Sequence, residues 1–306
     1  MNELVLKGID GSNPLGFLAA IGAAVTARSF SPSISVGWRK DYDAWRPFFL
    51  GYEDNETAFA KAVKAALFAT SGKPFEIEKK LPFPLKRLRE ALKESQIEAN
   101  PRDRRNIDIL GSFGSEACTD KENVNFQDTF FRMVRSGDAA GQGLPFYALS
   151  IRNSTGEEEI YRTLFETWDY KDKGFSLRWN PCEDQRYALR WHDPSKNKDA
   201  FALGTMNGAN TLALEALSLF PAVPLRTDLA TTGFFKNKQG RVYFTWPIWE
   251  GAVCVETVRS ILALHDLYEE TPPRKKMLAR GIMEIYRCER IAPNQYYRNF
   301  SPAMPA

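Results

Sequence analysis

The stretch LVLKGIDGSNPLGFLAAIGAA, residues 4–24, sets a glycine-rich turn between a short apolar run and a longer one. Its spacing predicts a strand at Leu4–Leu6, a turn through Gly8, Asp10 and Gly11, and a helix starting at Asn13-Pro14. Asn13 can accept a bond from a free backbone N–H, and Pro14 occupies the first helical position, where its missing donor costs nothing. Gly11 and Gly16 have the gap of a nucleotide-binding P-loop, but Phe17 and Leu18 stand where Lys and Ser/Thr would hold phosphate and magnesium. No G-x-G-x-x-G follows the strand either, since Ile9 and Asp10 separate Gly8 from Gly11. A secretory leader fits poorly, because Glu3 and Asp10 balance Lys7 and the turn interrupts the approach to the apolar run. The run is too short to span a bilayer. The economical reading is a strand feeding a buried, Ala- and Gly-rich helix that packs closely on its neighbours.

Outward from there, Ser33–Trp38 reads as a strand and an aromatic segment runs from Tyr42 to Tyr52. Phe59, Val63 and Leu67 give helical spacing over 56–69, and Leu85, Leu88 and Leu92 mark an amphipathic helix after Pro84. Pro74–Lys80 reads as extended, and glycines recurring between Asn106 and Gly143 suggest loops around Phe126 to Val134. Further extended runs are expected at 144–151, 175–179, 186–191 and 241–249, alternating with helices near 156–167, 208–219 and 254–269. The expected class is α+β, with short antiparallel strands and packed helices. The glycine-rich interval places a boundary near residue 150, giving α+β units at 1–150 and 151–306, with a single domain as the alternative.

Lys and Arg number 41 against 38 acids, so the charge of +3 leaves any attraction for polyanions to local clusters. Cys118, Cys182, Cys254 and Cys288 form no C-x-x-C pair and have no histidines at ligand spacing, which argues against a disulfide framework or a structural zinc. Two histidines leave little material for acid–base work, and neither H-E-x-x-H nor G-x-S-x-G is present. No catalytic residue, metal ligand or cofactor is expected.

The most basic window, Lys79–Arg105, holds nine Lys/Arg against four acids, a larger excess than that of the whole chain. Lys86, Arg87, Arg89, Arg102, Arg104 and Arg105 are its candidates for displacing counterions from a phosphate backbone; a solvated helix face is the alternative. In SLRWNPCEDQRYALRWHDPS, residues 176–195, strand periodicity puts Arg186 and Arg190 on one face. Trp179 and Trp191 nearby can stack on bases or fill a core. His192-Asp193 makes a poor acid–base pair, because neighbours on a strand point apart. Asn207 and Asn210 open an apolar helix, where they can cap it or reach a base edge, and Gly208 admits a close backbone. Lys236, Lys238 and Arg241 surround Gly240 at the tip of a hairpin between TTGFF and VYFTWPIW. Arg274-Lys275-Lys276 reads as a helix start.

Taken together, LVLKGIDGSNPLGFLAAIGA, RWNPCEDQRYALRWHDPS, GANTLALEALSLFPAVP, TTGFF and FTWPIWE resemble large-subunit-like proteins of type I-G CRISPR effector modules, formerly called I-U. Leu6, Gly8, Pro14, Leu15, Leu18, Ala20 and Gly22 match the N-terminal pattern of that family. The resemblance implies a non-catalytic, cytoplasmic subunit of an RNA-guided surveillance complex. Its partners would be crRNA, target DNA, other effector subunits and a helicase-nuclease, with no membrane. Such a subunit helps recognise the motif beside the target and recruit the nuclease, and a helical small-subunit portion would be absent or supplied separately. The alternatives are a metal-dependent nuclease or nucleotide hydrolase built from carboxylates that the fold assembles, and a scaffold that binds only protein.

Overall fold

Asn13 caps the first helix as its sequence requires: its side-chain oxygen accepts the N–H of Leu15 at 2.9 Å and of Gly16 at 3.1 Å. The computed structural model describes residues 3–100, 103–133, 141–183, 204–225, 228–294 and 297–306. Strand β1 (Leu4–Val5) leads into helix α1 (Pro14–Ala27), and β2 (Ser35–Asp41) and β3 (Ala44–Leu50) follow as a hairpin. Helices α2 (Glu56–Ala69), α3 (Lys73–Glu76), α4 (Leu85–Glu98) and α5 (Arg105–Phe113) precede the short pair β4 (Gly114–Thr119) and β5 (Phe126–Asp128). Helices α6 (Leu144–Ser154), α7 (Glu157–Phe165) and α8 (Asn207–Ala216) come next, then a second short pair, β6 (Ala222–Leu225) and β7 (Asp228–Thr231). Strands β8 (Phe234–Lys236) and β9 (Val242–Trp249), helices α9 (Val255–Leu262) and α10 (Arg274–Leu278), and strands β10 (Ile282–Asn294), β11 (Tyr297–Phe300) and β12 (Met304–Pro305) complete the order.

The larger sheet runs β11-β10-β9-β8, with β12 also on β10, and the smaller runs β1-β3-β2. All named strand pairings are antiparallel, so the fold is α+β. Among the described residues no helix is long and apolar enough to cross a membrane.

Helix α1 is apolar all round and is accordingly buried on every side, with Val25 alone of its fourteen residues not fully covered. Phe17 meets Trp38 of the small sheet at 5.7 Å and Trp246 and Trp249 of the large sheet at 6.0 and 6.4 Å. Trp246 donates its indole N–H to Gly11 O at 2.8 Å, and Trp249 donates to Val36 O at 3.1 Å. Helix α8, also buried throughout, crosses α1 at Gly22, where a Cβ would stand 1.7 Å from Leu212 O. One core cluster therefore reaches from Leu4 to Phe300, and the boundary expected near residue 150 falls inside α6.

Three local expectations need correction. Residues 144–151, expected as extended, belong to α6: Leu144, Tyr147, Ala148 and Ile151 fall on one helical face and are buried. Within Pro74–Lys80, residues 73–76 form the single turn α3, which buries Phe75. Residues 175–179 pair with no strand among the described residues; Arg178 takes φ +61° there, and Asn210 and Phe131 O receive the Leu177 N–H and the Trp179 indole. The expected run at 186–191, with Arg186, Arg190 and Trp191, lies outside the described residues, as do Arg102 and the His192-Asp193 pair.

Candidate nucleic-acid interface

The hairpin read around Gly240 forms as expected. Asn237 makes the turn, its side-chain oxygen accepting the N–H of Gln239 at 3.1 Å and of Arg241 at 2.9 Å. Phe234 then pairs with Phe244 and Lys236 with Val242, so Lys236, Lys238 and Arg241 are left exposed at the tip. Arg241 lies 3.5 Å from Glu289, whereas Lys236 and Lys238 have no ion pair among the described residues.

The same end of the sheet carries further cations. Because Tyr243 pairs with Glu289, β10 runs on past the start of β9 toward the tip, and β11 turns back there with Asn299 opposite Ile291 and Phe300 opposite Arg290. Arg290 is buried and donates to the carbonyls of Phe130 at 2.7 Å and Arg132 at 2.9 Å. Burial pushes its guanidinium down to about 9, and the Arg298 guanidinium nearby adds to the shift. Arg132 grips both oxygens of Asp128. Beneath this group Phe131, Phe234, Phe244 and Phe300 pack ring to ring. Sequence reading missed Arg132, Arg290 and Arg298. A signal did exist for two of them: in CERIAPNQYYRNF, Arg290 shares strand parity with Cys288 and Arg298 with Phe300, both core residues.

The basic window divides once folded. Lys86, Arg87 and Arg89 are exposed on α4, but Arg87 pairs with Glu90 at 3.1 Å and Arg89 with Glu116 at 3.2 Å. Arg104 pairs with Asp108 at 3.3 Å. Among the described residues Lys79, Lys80, Lys86 and Lys93 form no ion pair and face solvent. Arg105 points inward: its Nε and Nη2 meet the two oxygens of Glu215 at 2.5 and 2.6 Å, and Arg152 approaches the same carboxylate at 3.1 Å. This buried triad ties α5 and α6 to α8, and it commits Arg105 to the protein's own interior.

Asn207 and Asn210 are likewise interior. Asn210 is fully buried; its oxygen accepts the Leu177 N–H at 3.0 Å, and its nitrogen donates to Thr205 Oγ1 and Met206 O. Asn207 does not cap α8. The Asp172 carboxylate does so from another segment, accepting the Asn207 N–H at 2.7 Å while Arg162 holds its other oxygen. The backbone that Gly208 admits is that of α7, since a Cβ would lie 2.3 Å from Glu159 O. Trp179 is a core side chain with its indole bonded to Phe131 O, so it offers no surface for a base.

Chemistry-bearing groups gather in one further place. Among the described residues His265, Asp266 and Glu269 bring ligand atoms within 4.8 Å of one another. Lys276, at 2.8 Å, and Arg280 already hold the Asp266 carboxylate, and Lys276 above all keeps it below the usual aspartate range. Compared with models of protein families and with curated protein sequences, the chain matches none.

Proposed function

We propose that this chain is a non-catalytic, cytoplasmic subunit of a type I CRISPR RNA-guided surveillance complex that binds crRNA and target DNA. In this reading it contributes to recognition of the target-adjacent motif and to recruitment of the helicase-nuclease. The observation that carries the proposal is the gathering of Lys236, Lys238 and Arg241 at an exposed hairpin tip, with the half-buried Arg298 at the same end of the sheet. Cations so placed displace counterions from a phosphate backbone, and a protruding tip can follow a groove. The lysines of the α4 region that form no ion pair among the described residues, Lys79, Lys80, Lys86 and Lys93, offer a second, sequence-independent contact.

The test is fluorescence anisotropy of the full chain, alone and in the assembled effector, with labelled RNA and duplex DNA at several salt concentrations. Replacing Lys236, Lys238 and Arg241 by Ala is expected to weaken binding and to flatten the log–log salt slope by roughly 2 to 3, near 0.9 for each phosphate that is no longer neutralised. Affinity and slope both unchanged from the wild type would refute the proposal. Turnover of nucleic acid or nucleotide by the pure chain with a divalent metal would replace it with the nuclease alternative.

A further inference from the structure

The sheet end beside the hairpin holds more positive charge than its carboxylates balance. Glu289 is engaged with Arg241, and both Asp128 oxygens are taken by Arg132. Arg290, nine-tenths buried, bonds among the described residues only to two neutral carbonyls, those of Phe130 and Arg132. Its guanidinium lies 5.5 Å from the Phe130 ring centroid, within reach of a cation–π contact. Arg298 is half-buried and has no carboxylate, carbonyl or hydroxyl partner among the described residues. The β10–β11 register puts Arg290 opposite Phe300, and Arg298, two residues before Phe300, on the same face. Burial lowers both guanidiniums, Arg298 adds to the shift at Arg290, and Arg132 adds to both.

Removing a cation from water is costly unless an anion meets it. Three guanidiniums with a single carboxylate among them, counted over the described residues, leave that requirement unmet. We propose that Arg132, Arg290 and Arg298 frame a binding site for a phosphate group, with Arg298 as the free fork and Arg290 as its fixed neighbour. A phosphate suits the place better than a lone carboxylate, because its oxygens spread in three dimensions and accept from more than one planar fork at once. The group is either free inorganic phosphate or a phosphate of a nucleic-acid strand. The second source rests on the function proposed above; the first does not.

The experiment uses the full chain and two probes at constant ionic strength. Thermal unfolding is followed with sodium phosphate against sodium chloride, and anisotropy is measured with a short oligonucleotide. Each is repeated for Arg298→Gln and Arg298→Lys, and the midpoint in chloride reports whether each variant folds. Phosphate is expected to raise the wild-type midpoint and to lose at least about tenfold in affinity with Arg298→Gln, the usual effect of losing a charged hydrogen-bonding partner. Arg298→Lys is expected to fall between, since it keeps the charge and loses the fork. Dependence on Arg298 in the oligonucleotide arm alone assigns the site to strand phosphates, and dependence in the phosphate arm alone assigns it to the free anion. If neither arm responds to Arg298 in folded variants, the site does not exist. Loss of oligonucleotide binding in the hairpin-tip variant with phosphate protection intact separates the two proposals.

Discussion

Replacing Gly22 with Ala tests the packing on which everything else is mounted. An added Cβ would sit 1.7 Å from Leu212 O and 2.6 Å from Leu212 C, where an ordinary contact begins at 3.4 Å. Backbone cannot swing aside as a side chain can, so α1 and α8 would have to part by about 1.7 Å at their crossing, to reach ordinary contact distance. Both helices are buried nearly throughout, and the gap would propagate along their shared surface. Overpacking of this kind costs typically 1–3 kcal/mol and more where relief is blocked, which puts the expected loss at about 3 kcal/mol or above. In a chain of this size a loss of that order lowers Tm by about 5 °C. Gly111→Ala in α5 is the control: nothing lies within 4 Å of its added Cβ, and Ala is the better helix former by about 1 kcal/mol. Urea unfolding of the two variants should therefore move in opposite directions. A Gly22→Ala midpoint within error of the wild type, or a shift of the same sign in both, would refute the close-crossing argument.

Two further outcomes follow from buried and half-buried charge. Glu215→Gln leaves Arg105 and Arg152 facing each other without a counter-charge and should cost about 3–5 kcal/mol in chemical denaturation; Glu116→Gln, which frees the exposed Arg89, should cost under about 1 kcal/mol. Equal losses in the two variants would contradict the assignment of Arg105 to the interior. Asp266 is held below its ordinary value of 3.8 by Lys276 and then by Arg280. Its contribution to stability is thus complete above that value and is lost as pH falls through the lower folded one. Wild type and Asp266→Asn should differ in unfolding midpoint near neutrality and converge in acid, and a gap that stays constant across the titration would contradict the ion pair.

Local signals were legible where a single segment carries them. Asn13-Pro14 announced α1, and Gly240 between apolar runs announced the β8–β9 hairpin. The run LPFYALSI misled because both of its parities are apolar, so a period of two and a helical period fit it equally until the core selected one face. Charge was legible along the basic window, but not its neutralisation: Glu116 meets Arg89 across 27 positions, and Glu215 meets Arg105 across 110. Asn207 and Asn210 gave a correct helix start, yet Asp172, 35 residues from Asn207, took over the capping. The group at Arg132, Arg290 and Arg298 draws on segments about 160 residues apart, and no local pattern could assemble it.

The bond between Trp246 and Gly11 also bears on synthesis. Helix α1 is finished at Ala27, but Leu212 and Trp249, which cover it, emerge from the ribosome only 185 to 222 residues later. At about 5–20 residues per second that is a wait of roughly 10 to 45 s, during which β2 and α2 can cover part of this fourteen-residue apolar cylinder but the faces that meet α8 and β9 stay bare. Nascent chains stalled before β9 should therefore be captured by holdase chaperones, and only release of the last strands lets the first helix settle.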